Sequence, residues 1–264
     1  MIVAIEGVDQ AGKHTQSVML QRALKKRGMS AKLFHFPRYD TPIGRAISRH
    51  LIAKRRKGIP PQVFHCLQAA NKWEFLHVIE GALLSHDVVI MDRYHSSNVI
   101  YGAANGVDRK WLESLERGMP EAAFTILLDI PVAVSFDRRP TDRDKLERDK
   151  KLLGSVRSEY LSMAKKRRWK VVGADRPKGD VHAEMLGYLL PRLEAAGTGR
   201  PAKRARRAAS GTATRDDAKA PNKKAALTNK KNKSKKPAAP AAARPPRTAG
   251  ALRKGGRGRR RGRA

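Results

Sequence analysis

The sequence predicts an α/β fold, a five-stranded parallel sheet with helices on both faces. Three observations carry this. Five short apolar runs recur through the first 196 residues, at 2–5, 31–36, 87–92, 123–130 and 169–175, with helical patterns between them. Two of the runs, "DVVIMD" and "AFTILLDI", are continuously apolar, as strands buried on both faces are. Strands that alternate with helices leave parallel crossover connections as the simplest topology.

Each element has its own signal. "IVAI" at 2–5 runs into a glycine loop, and apolar spacing continues helically from Lys13 to about Lys26. "AKLFHF" at 31–36 reads as the second strand. Pro42 sits at a helix start, and "TPIGRAISRHLIAK" continues that helix. Pro60 and Pro61 open what reads as one long helix, "QVFHCLQAANKWEFLHVIEGALLSH". Beyond the third strand, helices are expected near 108–117, 131–138, 145–166 and 179–195. Cys66, the one cysteine, lies in an apolar helical stretch and is expected as a buried structural thiol. No intrachain disulfide can form, which fits a reducing compartment. Trp73 and Trp111 are read as core or interface residues. His35, His50, His65, His77, His86, His95 and His182 lack metal-ligand spacing and are read as ordinary.

Charge divides the chain in two. The net charge is +33, and residues 197–264 hold 23 Lys or Arg against 2 Asp, so they carry +21 of it. That stretch has almost no large apolar residues. It cannot bury enough surface to offset chain entropy, and disorder is expected. The predicted organisation is therefore a folded domain at 1–196 and a disordered basic tail at 197–264. A tail without aromatics for base stacking would contact nucleic acid through phosphates, without sequence preference. No signal peptide or membrane-length apolar run is seen, so a cytoplasmic protein is expected, with nucleoid or nuclear association through the tail as an option.

"GVDQAGKHT" fits the phosphate-binding pattern G-x-x-x-x-G-K-[ST] at all but one place. Gly7, Val8, Asp9, Gln10, Ala11 and Gly12 form a loop whose backbone N–H groups can face phosphates, and Lys13 adds positive charge. His14 replaces the hydroxyl that would ligate magnesium. Imidazole is a poor match for that ion, which prefers oxygen. Thr15 has a hydroxyl but lies about 100° further round the helix. Asp9 and Asp92 can supply carboxylates. Arg93 follows Asp92 at the end of a central strand, where ligands bind in open α/β sheets; an ion pair with Asp92 is the competing reading.

Five motifs occur in order: "EGVDQAGKHTQ", "FPRYDTPIG", "ANKWE", "DRYHSSNVIYG" and "DKLERD". Over residues 1 to about 195 the chain resembles the thymidylate kinases. The resemblance implies a P-loop nucleoside-monophosphate kinase fold with a mobile lid. It also implies phosphorylation of dTMP by ATP with Mg2+, in a homodimer. Some members resemble this chain in having a basic residue after the loop lysine, so His14 is read as a tolerated variant.

By resemblance, Asp9 approaches the sugar 3′-hydroxyl and the metal, with Asp92 and Glu147 as further metal partners. Phe36 packs on the pyrimidine, Arg38 and Tyr39 brace the acceptor phosphate, and Arg93 clamps it. Gln68, Asn71 and Lys72 lie on the base-binding helix, while Asn98 and Tyr101 face sugar and base. Tyr101 would crowd a ribose 2′-hydroxyl. Gln10 stands where some members carry a catalytic arginine, so Arg138, Arg139 and Arg143 of the lid are expected to neutralise the migrating phosphoryl group. From its place in "ADRP", just after the last strand, Arg176 is expected to flank the adenine. Two departures stand out: Gln68 replaces a stacking aromatic, for which Phe64 one turn earlier is a substitute, and Lys72 replaces a base-bonding arginine. The remaining alternatives are a kinase for another pyrimidine deoxynucleotide such as dUMP, or a nucleic-acid-binding protein with a non-catalytic body.

Overall fold

The computed structural model describes residues 1–52 and 59–197. Five parallel strands form one sheet: β1 (Ile2–Glu6), β2 (Ala31–His35), β3 (Val88–Asp92), β4 (Phe124–Asp129) and β5 (Lys170–Gly173). Their order is β2-β3-β1-β4-β5. The two central strands are buried along their whole length, which is why their sequences do not alternate. Within β1, Val3 and Ile5 join one apolar cluster and Ile2 and Ala4 the other. Alternate side chains of a strand point to opposite faces, so both faces of the sheet are covered.

The predicted helices are present with three differences, and one further helix, at 95–104, was not anticipated by the apolar spacing. α1 (Lys13–Lys26) and α2 (Pro42–Ile52) match, and Pro42 opens α2. The expected long helix is instead two: α3 (Pro61–Trp73) and α4 (Leu76–Ser85). Three interactions coincide with the break. Glu74 Oε2 accepts from Thr41 Oγ1 at 2.9 Å and from Asn71 Nδ2 at 3.1 Å, and Phe75 packs edge-on against Phe36. The second difference is Cys66, which is exposed. Phe64, His65 and Ala69 supply the buried face of α3, and Cys66 falls on the other side.

The remaining helices are α5 (His95–Ala104), α6 (Arg109–Leu115), α7 (Val132–Arg138), α8 (Lys150–Arg167) and α9 (Lys178–Ala195). α8 starts at Lys150, later than the apolar spacing suggests, because Asp149 caps it by accepting from the Leu152 N–H at 2.9 Å. Among the described residues no helix is long and apolar enough to cross a membrane. The tail beyond Gly197 lies outside the described residues, and so do residues 53–58 of the run "LIAKRRKG".

The carboxyl ends of β1 and β3 lie side by side, with Ile5 in register with Asp92. The loops that follow them therefore open at the same edge. One begins at Gly7, whose φ is +146°, and a Cβ there would sit 2.4 Å from the Leu128 carbonyl oxygen of β4. The chain can turn this tightly only with glycine.

Candidate active site

The loop that begins at Gly7 ends at Gly12, which caps α1 with φ +90°. A broad open cleft lies at this end of α1. Asp9 to Thr15 line it, with Asp92, Arg93, Arg138 and Arg176. Lys13 is buried, and its ammonium donates to the Val8 carbonyl at 2.7 Å. Burial, aided by the charge of Arg93, lowers its pKa to about 8 against the opposing pull of Asp9, Asp92 and Glu6. His14 Nδ1 lies 3.3 Å from Asp92 Oδ2.

A second, smaller cavity adjoins the first. Its wall includes Phe64, Gln68, Lys72, Asn98, Tyr101 and Asp144. Asp9, Phe36, Pro37, Tyr39 and Arg93 border both cavities and so mark their junction. There Arg93 pairs with Asp9 Oδ1, and Tyr101 donates to Asp9 Oδ2 at 2.6 Å. Burial raises the Asp9 pKa, but Arg93, Lys13 and the Tyr101 hydrogen bond outweigh it, and the net shift is downward. Burial also opposes the charge of Arg93, yet Asp9 and its other neighbours hold it ionised. Arg93 has a φ of +61°, an unusual backbone for arginine that its surroundings must enforce.

Behind Arg93 lies a buried carboxylate that residue patterns alone did not flag. Glu6 Oε2 accepts from Ser97 Oγ at 2.6 Å and Tyr160 Oη at 3.0 Å, and Oε1 accepts from the Tyr94 amide at 3.0 Å. Arg93 in turn donates to Ser97 Oγ at 3.1 Å and to the Gly7 carbonyl at 3.2 Å. Despite these donors, burial leaves the Glu6 pKa raised. An acidic residue directly after the apolar run at 2–5 was the available signal.

The end of α7 and the segment that follows it carry the remaining arginines. Arg138 reaches the open cleft and donates to the carbonyls of Gln10 at 3.0 Å and Ala174 at 2.6 Å. Arg143 turns inward. It is 3 % exposed and donates to the carbonyls of Arg139, Glu147 and Ser135, with its guanidinium 3.9 Å from the Phe136 ring centre.

The phosphate-loop cleft and the second cavity thus share an Arg–Asp junction. The sequence model of the thymidylate kinase family matches residues 5–185. The chain belongs to the thymidylate kinase family. It is 35% identical over 199 residues to the probable thymidylate kinase of Thermococcus gammatolerans, covering 72% of this chain and 95% of that one. It is 31% identical over 213 residues to the thymidylate kinase of Mycobacterium tuberculosis, covering 72% of this chain and all of that one. Among solved structures, the thymidylate kinase of Candida albicans shares the fold, with a TM-score of 0.62 at 24% identity over 75% of this chain and 93% of that one.

Against the thymidylate kinase pattern, the structure brings some expected residues to the two cavities and keeps others out. Asp9, Lys13, Phe36, Tyr39, Gln68, Lys72, Arg93, Asn98, Tyr101, Arg138 and Arg176 border one or both. Arg38 borders neither: it pairs with Asp40 and lies over the Phe75 ring. Asn71 is fully buried and braces the loop at 38, accepting from the Arg38 amide at 2.7 Å and donating to its carbonyl at 3.0 Å. Lys72 is ion-paired to Glu116 at 3.0 Å and also donates to the Gln68 carbonyl at 2.8 Å. Arg139 and Arg143 line neither cavity. Phe64 does stand beside Gln68 in the wall.

The expected metal set does not converge. Glu147 accepts from the Asp144 amide at 3.3 Å and borders neither cavity. Asp144 occupies the wall instead, its carboxyl pushed up to about 6, chiefly by burial. Asp9 is engaged by Arg93 and Tyr101, and His14 stands beside Asp92. Among the described residues no group of three or more potential ligands gathers. This donor set suits a magnesium ion that takes most of its ligands from phosphates and water and only one or two from protein carboxylates.

Proposed function

We propose that the chain transfers the γ-phosphoryl group of ATP to dTMP, giving dTDP. The observation that carries this reading is the junction of the two cavities, where Asp9 and Arg93 border both the phosphate-loop cleft and the smaller pocket. ATP lies along the phosphate loop, with Lys13 on its outer phosphates and Arg176 beside the adenine. The nucleoside monophosphate occupies the smaller pocket, its base against Phe36, Phe64 and Gln68 and its phosphate at Arg93. Asp9 faces the sugar, and Arg138 stabilises charge on the group in flight. Catalysis here is positioning and charge neutralisation. A Mg2+ ion would be held by Asp92 and Asp9 through water and would neutralise phosphate charge.

The folded domain at 1–196 acts as a homodimer in the cytoplasm, and the basic segment 197–264 gives it affinity for nucleic acid. The charge of that segment, +21, supports this last reading.

Steady-state phosphorylation of a panel of nucleoside monophosphates by ATP and Mg2+ tests the assignment. The highest kcat/KM is expected for dTMP. Preference for dUMP or another monophosphate would reassign the substrate. DNA binding by a body with no turnover of any monophosphate would favour the scaffold reading.

A further inference from the structure

Asn98 sits in the wall of the smaller pocket, but its amide is already spent. Nδ2 donates to Glu116 Oε1 at 2.7 Å and to the His65 carbonyl at 3.1 Å. Both partners are acceptors only, so this end of the amide must be the NH2 group. Oδ1 therefore faces His65 Nδ1, 2.7 Å away, and that nitrogen must carry the proton. A neutral imidazole protonated at Nδ1 keeps a lone pair at Nε2. Burial, with Lys72 nearby, lowers the His65 pKa against the opposing Asn98 hydrogen bond, and so favours the neutral ring. His65 borders the pocket, and its Nε2 has no hydrogen-bond partner among the described residues. Lys72 is likewise committed, to Glu116 and the Gln68 carbonyl.

We infer that His65 Nε2 is the acceptor that reads the N3–H of the pyrimidine imide, making His65 a specificity-determining residue. The inference rests on the reading that this pocket holds dTMP. Thymine and uracil carry a proton at N3 and would donate to Nε2. Cytosine carries a lone pair there, which would face the Nε2 lone pair with no proton between them. A buried site built around one hydrogen bond rejects a partner that cannot complete it. Glu116 is the origin of the arrangement: by holding both Asn98 and Lys72 it fixes the amide orientation and, through it, the histidine tautomer.

The test compares dTMP, N3-methyl-dTMP and dCMP as substrates and as ligands by calorimetry, in the full chain and in His65→Ala and His65→Leu. In the wild type, kcat/KM for dTMP should exceed that for either analogue by roughly 30-fold or more. In the variants dTMP should lose most of this advantage, mainly through KM, so that the ratio to N3-methyl-dTMP falls to about threefold or less. Wild-type protein that binds N3-methyl-dTMP as tightly as dTMP overturns the inference without any variant. So does a folded variant that keeps the wild-type ratios. Absence of dTMP turnover and binding altogether overturns the kinase reading, and this inference with it.

Discussion

Tyr101 donates its phenolic proton to Asp9 Oδ2 at 2.6 Å, at the junction of the two cavities. The pair joins α5 to the phosphate loop, 92 residues apart in sequence. Because Arg93 takes the other carboxylate oxygen, neither Asp9 nor Tyr101 can move independently. Tyr101→Phe keeps the ring and removes the donor. Stability in urea should fall by about 1.5–3 kcal/mol, the usual worth of a hydrogen bond to a charged group. Preference for deoxyribose over ribose should survive in Tyr101→Phe and weaken in Tyr101→Ala, if bulk excludes the 2′-hydroxyl. Equal use of both sugars by the wild type would remove Tyr101 from that role.

Arg138 and Arg143 should separate cleanly. Arg138→Ala takes a charge from the open cleft, so kcat should drop at least tenfold with little change in Tm. Arg143→Ala leaves the buried Ser135 and Glu147 carbonyls without that donor, and should cost about 2–3 kcal/mol in stability. Protease cleavage within 139–149 should rise with it. A large kcat loss in Arg143→Ala at unchanged Tm would return that residue to the chemistry.

Lys13 sets a pH dependence. Its folded pKa is about 8 against 10.5 for the free side chain, so between these values the unfolded chain binds the extra proton. Stability contributed by this group therefore rises with pH, by an amount on the order of 2 kcal/mol from pH 8 to 10. The window closes near pH 10. Above it Tyr101 and Tyr160, whose pKa values are raised by burial, stay protonated in the fold while unfolded tyrosines ionise, and the slope reverses. Denaturation of wild type and Lys13→Met across this range checks the sign; the rise should be missing in the variant.

Gln68→Phe restores a flat surface beside Phe64. Affinity for dTMP should improve by roughly 0.5–1.5 kcal/mol if the ring stacks on the base. An unchanged or weaker Kd would show that Phe64 already serves as the aromatic wall.

Truncation after Ala196 should leave kinase activity within about twofold, since the composition beyond it offers no apolar surface to pack. Binding to DNA at low salt should disappear. In the full chain, affinity should fall by roughly 10³–10⁵ between 50 and 200 mM salt if six to ten phosphates are contacted. Gel-shift titrations at several salt concentrations measure this. A truncated body that binds DNA equally well would place the interface elsewhere.

All five strands were legible in the sequence: β1, β3 and β4 because a parallel strand buried on both faces is apolar almost throughout, and the part-exposed edge strands β2 and β5 as short apolar runs between helical patterns. The phosphate loop was legible for a similar local reason: its glycines, lysine and flanking strand are neighbours in the chain. Gly7 illustrates this, since its position within the motif already demands a turn that only glycine makes. The break after Trp73 was not legible. It coincides with Thr41 and Phe36, which lie more than 30 residues earlier, while the local apolar pattern runs on unbroken.

Residue types and their spacing thus determined the sheet and the phosphate loop. Tertiary structure alone decided what the long polar side chains bond to. Lys72 meets Glu116 and His65 meets Asn98 across more than 30 residues, and Arg143 folds back onto its own segment. A backbone pattern restricts where a side chain starts, within one turn or one pleat. Where a charged or polar end finishes depends on which buried partners the whole fold brings within hydrogen-bond reach, because desolvation makes every unpaired end costly.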